Sequence, residues 1–517
     1  MNPPDRVAES NLMFSDVVPG DLIEPLTGRE SKASTIPHEV FFRMATYRDY
    51  GVAHGDRVFV HYGNRLEFFA DLLALWGLGA SVAPLDPALT AFQVVNLATA
   101  AKPRMSLWHP TIDASIGSAL ADAGIQCVAS PDVGSPAIAA APHRAAGFAL
   151  DDEALILFTS GSTGNPKGVV HTHRSLLARW IGLKQALGSD AFRRTLCLLP
   201  THFGHGLICN ALFPWLSGQT LLVVPPFQAQ LVPQLGALID EQRITCMSSV
   251  PSLWALALRV AAPPRAGTLA RVMCGSAPLS ASIWKSIQAW SGTSEVLNAY
   301  GLTETGSWVA GTTVRGFVPE DGLIGEPWGA RIRILPTARV DDGLFESADC
   351  APGEEGFVWI KTPALMREYL GRDDLTRAAV TAGWFLTGDI GYLDDRGCLY
   401  LRGRQREEIN KGGIKVHPAD VEAAVQDFGS TLEACSFAWT DPLYGENVGL
   451  ALVLDPGDRP TAQKIYQHLT TRLAPHQMPA RWYLVPSLPR NTNGKIDRRE
   501  TARRCASLIP LEVKKLK

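Results

Sequence analysis

Residues 159–168 read "TSGSTGNPKG" and directly follow the apolar run "ALILF" at 154–158. A strand-like segment thus opens into a loop rich in glycine, hydroxyls and one lysine. Glycines leave backbone N–H groups accessible, Thr159, Ser160, Ser162 and Thr163 offer hydroxyls, and Lys167 supplies positive charge. Such a loop suits phosphate. It is not a Walker A loop: counted from Gly161, the second fixed glycine is replaced by Pro166 and the Ser/Thr by Gly168. The ten residues alone leave two readings open, a phosphate cradle or a plain Gly/Ser surface loop.

Outward from the loop, short apolar runs alternate with amphipathic ones. "DRVFVHY", "SVAPLD", "RMSLWHP", "ALILFTS", "TLCLLP" and "TLLVVP" predict strands, and "RLEFFADLLALWGLGA" predicts a helix stopped by glycine. Downstream of the loop "VVH" reads as a short strand. "THRSLLARWIGLKQAL" then reads as a helix capped by Thr172, with Leu176, Leu177, Trp180, Ile181, Lys184 and Leu187 on its core face. The expected fold class is α/β, built of stacked α/β layers. From about residue 320 the runs become Gly/Pro-punctuated strands, which predicts a β-rich subdomain. "RGRQREEINKGG" then concentrates charge and glycine. A boundary near 403–408 divides a large domain, 1–402, from a small α+β domain, 403–517. The sequence contains no internal repeat and no low-complexity tract.

Composition narrows the function classes. The chain has 517 residues, 46% hydrophobic, too long for one ordinary domain. Charges nearly balance, 48 Lys+Arg against 51 Asp+Glu, so no broad basic field is available for nucleic acid. The basic ending "EVKKLK" reads as a solvated terminus. Nine scattered cysteines without a C-x-x-C pair point to a reducing compartment. The start lacks the order of a secretion signal, and no apolar run reaches the ~20 residues of a membrane helix. A soluble, cytoplasmic protein is expected.

Four further stretches carry chemistry. "NAYGLTETG" (298–306) gathers an aromatic, a turn glycine, a hydroxyl and a carboxylate. "GWFLTGDIG" (383–391) places Asp389 after a strand-like run, "LRGRQREEINKGG" (401–413) marks the boundary, and "LPRNTNGKIDRRE" (488–500) presents Lys495. In this order and with "SGSTGNPKG", they resemble the adenylate-forming ligase superfamily, which includes acyl-CoA synthetases, carrier-protein adenylation domains and beetle luciferases. The likeness covers nearly the whole chain.

That resemblance implies a role for each motif residue. Thr159, Ser160, Gly161, Ser162, Thr163, Gly164 and Lys167 would hold the β- and γ-phosphates of ATP. Thr303 would approach the α-phosphate, and Glu304 would hold Mg²⁺. Tyr300, within Asn298–Ala299–Tyr300–Gly301, would stack on adenine, with Gly275, Ser276, Ala277 and Pro278 along the ring edge. Asp389 would accept from the ribose hydroxyls, and Arg404 would contact ribose or phosphate. Lys495 would bridge the attacking carboxylate and AMP. Its domain would then swivel about Glu407 to bring Gly412 and Gly413 beside the thiol's tunnel.

"LPTHFGHGLICNAL" (199–212) resembles the acyl-pocket segment, with His202, Phe203, His205 and Gly206 as its candidate lining. Amino-acid-activating members carry an aspartate where His202 stands, so a neutral aryl or aliphatic acid is expected. A zinc site from His171, His173, His202 and His205 finds no supporting fourth-ligand pattern. Pocket lining or packing is the better reading. Trp254 is expected in the core, and Trp308 at the depth of the pocket. No carrier segment follows the small domain, so the thiol is expected in trans, as CoA or the phosphopantetheine of a separate carrier protein. The expected activity is an acyl- or aryl-CoA synthetase. The alternatives are a stand-alone enzyme loading a carrier or an amine and, more remotely, a luciferase-like oxidoreductase.

Overall fold

A computed structural model describes residues 18–109, 112–133, 149–159, 167–225, 229–277, 279–313, 316–336, 349–404, 409–416, 418–426, 428, 431–454, 462–489 and 496–513. Three sheets organise the described residues. Each of the six apolar runs expected as strands is one.

The first sheet has seven strands. Arg57–His61, Ser81–Pro84, Met105–Trp108 and Gln126–Ala129 run parallel, and Glu153–Thr159 joins them beside Ser81–Pro84. Glu153–Thr159 pairs antiparallel with Lys167–Thr172, whose register sets Thr159 opposite Lys167. The two ends of the Gly/Ser loop are therefore fixed on neighbouring strands. Glu368–Tyr369 continues the sheet along Lys167–Thr172, with Tyr369 opposite Val169.

Helix His173–Leu187 follows, its start fixed by Thr172, whose hydroxyl accepts from the Ser175 N–H in a reciprocal capping box. Gly188, at φ 64°, closes it. Its buried face differs from the expected one. Leu176, Leu183 and Leu187 are in the core, but Ile181 is 41% exposed and Lys184 points to solvent. Arg179 takes the inward place, donating to the carbonyls of Trp328 and Thr305 and to the Thr362 hydroxyl. An apolar-periodicity reading cannot foresee a guanidinium that is buried because backbone carbonyls receive it.

The second sheet has fourteen strands. One half is parallel: Val296–Leu302, Arg271–Gly275, Cys246–Ser249, Arg194–Cys197 and Thr220–Val223. The other half is antiparallel and corresponds to the β-rich region read after residue 320: Leu323–Pro327, Leu399–Arg404, Trp384–Leu393, Gly356–Lys361 and Arg331–Leu335. Ser307–Gly311 bridges the halves. Trp254, fully buried, packs edge-on against Trp290 in the core of the parallel half.

The third sheet begins at Ile409 and has five strands, among them the long hairpin Thr431–Asp441 and Gly445–Leu454. Helices Pro418–Gln426 and Ala462–Thr470 supply Val421, Val425, Ile465 and Leu469 to its own core. It touches the rest of the chain at defined points. Gln93 donates to Gln477 Oε1 at 2.9 Å, the Arg472 guanidinium lies 4.2 Å over the Phe92 ring, and Asn410 Nδ2 donates to the Ser276 carbonyl at 3.4 Å. Among the described residues no helix is long and apolar enough to cross a membrane.

Candidate active site

Strands Arg271–Gly275 and Val296–Leu302 end side by side, Gly275 opposite Ala299, at the carboxyl edge of the sheet, the edge at which open α/β sheets bind ligands in a cleft. Strand Arg271–Gly275 ends there and delivers Ser276 and Ala277; Pro278 lies outside the described residues. A side chain at Gly275 would put its Cβ 2.6 Å from the Ala299 carbonyl oxygen, so only glycine lets the two strands approach this closely. Ser276 itself adopts a left-handed φ of 67°. Its hydroxyl is 2.7 Å from Nδ1 of His205, whose Nε2 is 2.6 Å from the Ser248 hydroxyl. Burial pushes the His205 pKa down to about 3, so its ring is neutral. The Trp308 ring stands edge-on to it at 4.9 Å.

The neighbouring strand delivers "NAYGLTE". Asn298 is buried and donates to the Leu323 carbonyl at 2.6 Å, which ties the two halves of the sheet together. The register shifts between Tyr300 and Gly301. At that bulge Tyr300 donates its hydroxyl to Asp389 Oδ2. Asp389, only 2% exposed, sits just before a second register shift, with its N–H donating to the Thr387 hydroxyl at 3.0 Å. The backbone of Arg404 is its cross-strand partner.

The strand then tightens into the one-turn helix Thr303–Thr305. Four contacts fix this turn. His171 Nε2 reaches the Thr303 carbonyl at 2.8 Å, and Arg179 reaches that of Thr305 at 2.9 Å. The Met366 N–H donates to the Glu304 carbonyl at 2.7 Å, and Tyr369 donates its hydroxyl to Glu304 Oε1 at 2.7 Å. Burial pushes His171 down to about 4, leaving a neutral ring whose Nε2–H donates to the carbonyl.

The candidate acyl-pocket residues divide. His205 and Gly206 open the π-helical stretch His205–Leu212 beside the cleft. The His202 ring lies tilted against that of Phe203, with Nε2 3.6 Å from Asp86 Oδ2. His61 Nε2 lies 3.0 Å from the Asp86 carbonyl and His476 Nδ1 4.0 Å from its carboxylate. Asp86 is thus the acid that the sequence pattern did not connect to this segment. The histidines weighed for zinc go to separate places: His173 packs edge-on to Trp76, and among the described residues no cluster of three metal-ligating side chains occurs.

Gly412 and Gly413 reach the same cleft from the small domain. The Gly412 N–H bonds the Tyr444 carbonyl at 3.0 Å. A Cβ at Gly413 would lie 3.4 Å from Ser276 Cβ and from Val250 Cγ1. Thr159 and Lys167 flank the Gly/Ser loop. Ser160–Gly164, Glu407 and Lys495 lie outside the described residues.

Residues 44–370 match the family model "AMP-binding enzyme", and 420–495 match "AMP-binding enzyme C-terminal domain". The chain belongs to the AMP-binding enzyme family. Among curated members it is 30% identical to the long-chain-fatty-acid–CoA ligase FadD13 of Mycobacterium tuberculosis, over 86% of this chain and 87% of that one. It is 28% identical to the 2-succinylbenzoate–CoA ligase of Bacillus licheniformis, over 89% and 92%. Among solved AMP-binding folds, o-succinylbenzoate CoA synthetase of Bacillus subtilis, bound to a product analogue, superposes with a TM-score of 0.83 at 22% identity. That match covers 97% of this chain and 98% of the other.

Proposed function

We propose that this AMP-binding enzyme joins a neutral carboxylic acid to CoA in two steps. In the first, a carboxylate oxygen attacks the α-phosphorus of ATP, forming acyl-AMP and releasing pyrophosphate. In the second, the CoA thiolate attacks the acyl carbonyl, forming the thioester and releasing AMP. The observation that carries this reading is the convergence of Ser276, Tyr300, Thr303, Glu304 and Asp389 at one strand-end cleft, in the order of the family motifs.

Asp389, already an acceptor, suits ribose hydroxyls, and Gly275–Ser276 with Tyr300 suits the adenine. Thr159, Lys167 and the intervening Ser160–Gly164 are assigned to the β- and γ-phosphates, Arg404 to ribose or phosphate, and Lys495 to the carboxylate and α-phosphate. Electrostatic stabilisation of the transferring group by fixed donors is the main task of such a site. Glu304 fits a Mg²⁺ ion: a half-buried carboxylate with one oxygen oriented by Tyr369 is a hard oxygen ligand beside the phosphate loop. The ion would offset pyrophosphate charge there.

His205, Ser248 and Trp308 are neutral groups, which supports an uncharged aryl or aliphatic acyl portion over one bearing a second carboxylate. The small domain would begin between Arg404 and Ile409, where the second sheet ends and the third starts, with Glu407 as the hinge. Nine scattered cysteines without a C-x-x-C pair support a reducing, cytoplasmic setting.

A pyrophosphate-release screen over carboxylic acids, with and without CoA, tests the reading. Acid-dependent release together with CoA thioester supports it. Release with no thioester, but transfer to an amine or a carrier, would replace the second step. No release with any acid would remove the first.

A further inference from the structure

Glu304 and Lys167, the residues assigned to metal and phosphate, share one neighbour that lies outside all the family motifs quoted for this chain. Tyr369 donates its hydroxyl to Glu304 Oε1 at 2.7 Å, and the Lys167 ammonium lies 4.9 Å from the centre of its ring. The backbone explains why. Glu368–Tyr369 pairs with Lys167–Thr172, Tyr369 stands opposite Val169, and the Leu370 N–H bonds the Gly168 carbonyl at 2.7 Å. Tyr369 is therefore locked to the strand that begins with Lys167. It is 5% exposed, and its N–H is held by the Thr376 hydroxyl at 3.0 Å.

We propose that Tyr369 is a positioning residue for the metal–triphosphate end of the site. Its hydroxyl fixes the Glu304 carboxylate in one orientation, and its ring face holds the Lys167 ammonium before nucleotide arrives. A ligand that brings a divalent cation and phosphate together then meets both groups already held by one side chain, with less ordering left to do on binding. The inference deepens the proposed function and rests on its assignment of Glu304 and Lys167.

The test is calorimetric binding to the full chain of ATP in EDTA and of ATP with excess Mg²⁺. The ratio of the two affinities is the metal-dependent gain. Tyr369→Phe keeps the ring and removes only the hydroxyl, so it should lower that gain about 10- to 100-fold, as loss of an outer-shell partner does, and leave metal-free ATP binding unchanged. Tyr369→Leu should weaken metal-free binding as well, because the Lys167 perch is lost. In a Glu304→Gln background Tyr369→Phe should change nothing further, since its effect runs through that carboxylate. An unchanged metal-dependent gain in Tyr369→Phe, with wild-type ATP binding intact, overturns this inference and leaves the ligase reading standing. Wild-type protein that binds no ATP under either condition overturns both.

Discussion

Tyr300 donates its hydroxyl to the carboxylate of Asp389, so the residue assigned to adenine and the residue assigned to ribose are already joined. The two come from strands Val296–Leu302 and Trp384–Leu393, which belong to opposite halves of the large sheet. The bond joins those halves and holds the buried Asp389 carboxylate. Removing the acceptor should therefore cost nucleotide binding directly. Asp389→Ala is expected to raise KM for ATP about 10- to 100-fold, the range of a lost charge-assisted hydrogen bond. Tyr300→Phe, which leaves the carboxylate in place, should cost only a few-fold. Pyrophosphate-release kinetics at saturating acid checks both, and an unchanged KM in Asp389→Ala would contradict the ribose assignment.

His205 should act on the other substrate. Its two serine partners hold it between Ser248 and Ser276, and its ring is neutral across the working range. His205→Ala leaves both hydroxyls without this partner and opens space beside Trp308. KM for the acid should rise about tenfold while KM for ATP stays within about threefold. Because burial puts the His205 pKa at about 3, the acid KM of the wild type should show no inflection from this group above about pH 5. A histidine-like break near neutrality that disappears in His205→Ala would overturn the neutral-ring assignment.

Some of this was legible in the chain and some was not, for physical reasons. The strands flanking "TSGSTGNPKG" and the helix capped by Thr172 are local: apolar runs and a capping hydroxyl act over a few residues. Arg179, Asp86 and Tyr369 were invisible because their meaning depends on partners far away in sequence. Arg179 is buried because the Trp328 and Thr305 carbonyls accept from it, and Asp86 meets His202 only across the fold. Tyr369 reaches Glu304 through the pairing of a two-residue strand, too short to show any periodicity. His202, expected from motif register in the acyl pocket, has in Asp86 a neighbour that is distant in sequence, with Nε2 3.6 Å from Oδ2.

Far from the cleft, Asp71 should matter for stability and not for catalysis. It is fully buried and accepts from Arg43 at 2.6 Å, from Ser130 at 2.6 Å and from the hydroxyls of Tyr47 and Tyr62. Asp71→Ala removes the carboxylate paired with the Arg43 guanidinium, itself 1% exposed, and leaves it the Ser130 hydroxyl and the Pro131 carbonyl. A loss of about 3–5 kcal/mol is expected in urea unfolding, the cost of breaking one side of a buried ion pair. KM for ATP of the folded fraction should not change. A loss below about 1 kcal/mol would mean that the cluster is solvated in solution.

Asp420 predicts a pH dependence of the opposite sign to the usual carboxylate. It lies in helix Pro418–Gln426, with Oδ2 accepting from Gln477 at 3.4 Å and Oδ1 buried without a hydrogen-bond partner. Burial raises its pKa to about 7. Between about pH 4 and 7 the folded protein therefore keeps a proton that the unfolded chain has released. The contribution of this group favours folding below that window, falls as pH rises through it, and levels off above. Asp420→Asn mimics the protonated acid, so it should be more stable than wild type at about pH 8, by up to about 4 kcal/mol, and no more stable at about pH 4. Equal stability of the two proteins at both pH values would show that the carboxyl is solvated.

Gly413 should separate the two half-reactions. It sits at φ 91°, a conformation that L side chains rarely adopt, and a Cβ there would touch Ser276 and Val250. Asn410, on the same turn, donates through Nδ2 to the Ser276 carbonyl and accepts through its side-chain oxygen from the Gly413 N–H at 2.9 Å. This turn therefore lies against Ser276, at the point proposed for the thiol's entry. Gly413→Ala adds one methyl and backbone strain to that contact, while acyl-AMP formation is assigned to Lys495 and the phosphate loop. Thioester formation from supplied acyl-AMP is expected to fall at least about tenfold, equivalent to about 1.4 kcal/mol, and hydroxylamine-trapped adenylation to stay within about twofold. Equal losses in both assays would place Gly413 in the fold of the small domain and not on the thiol's path.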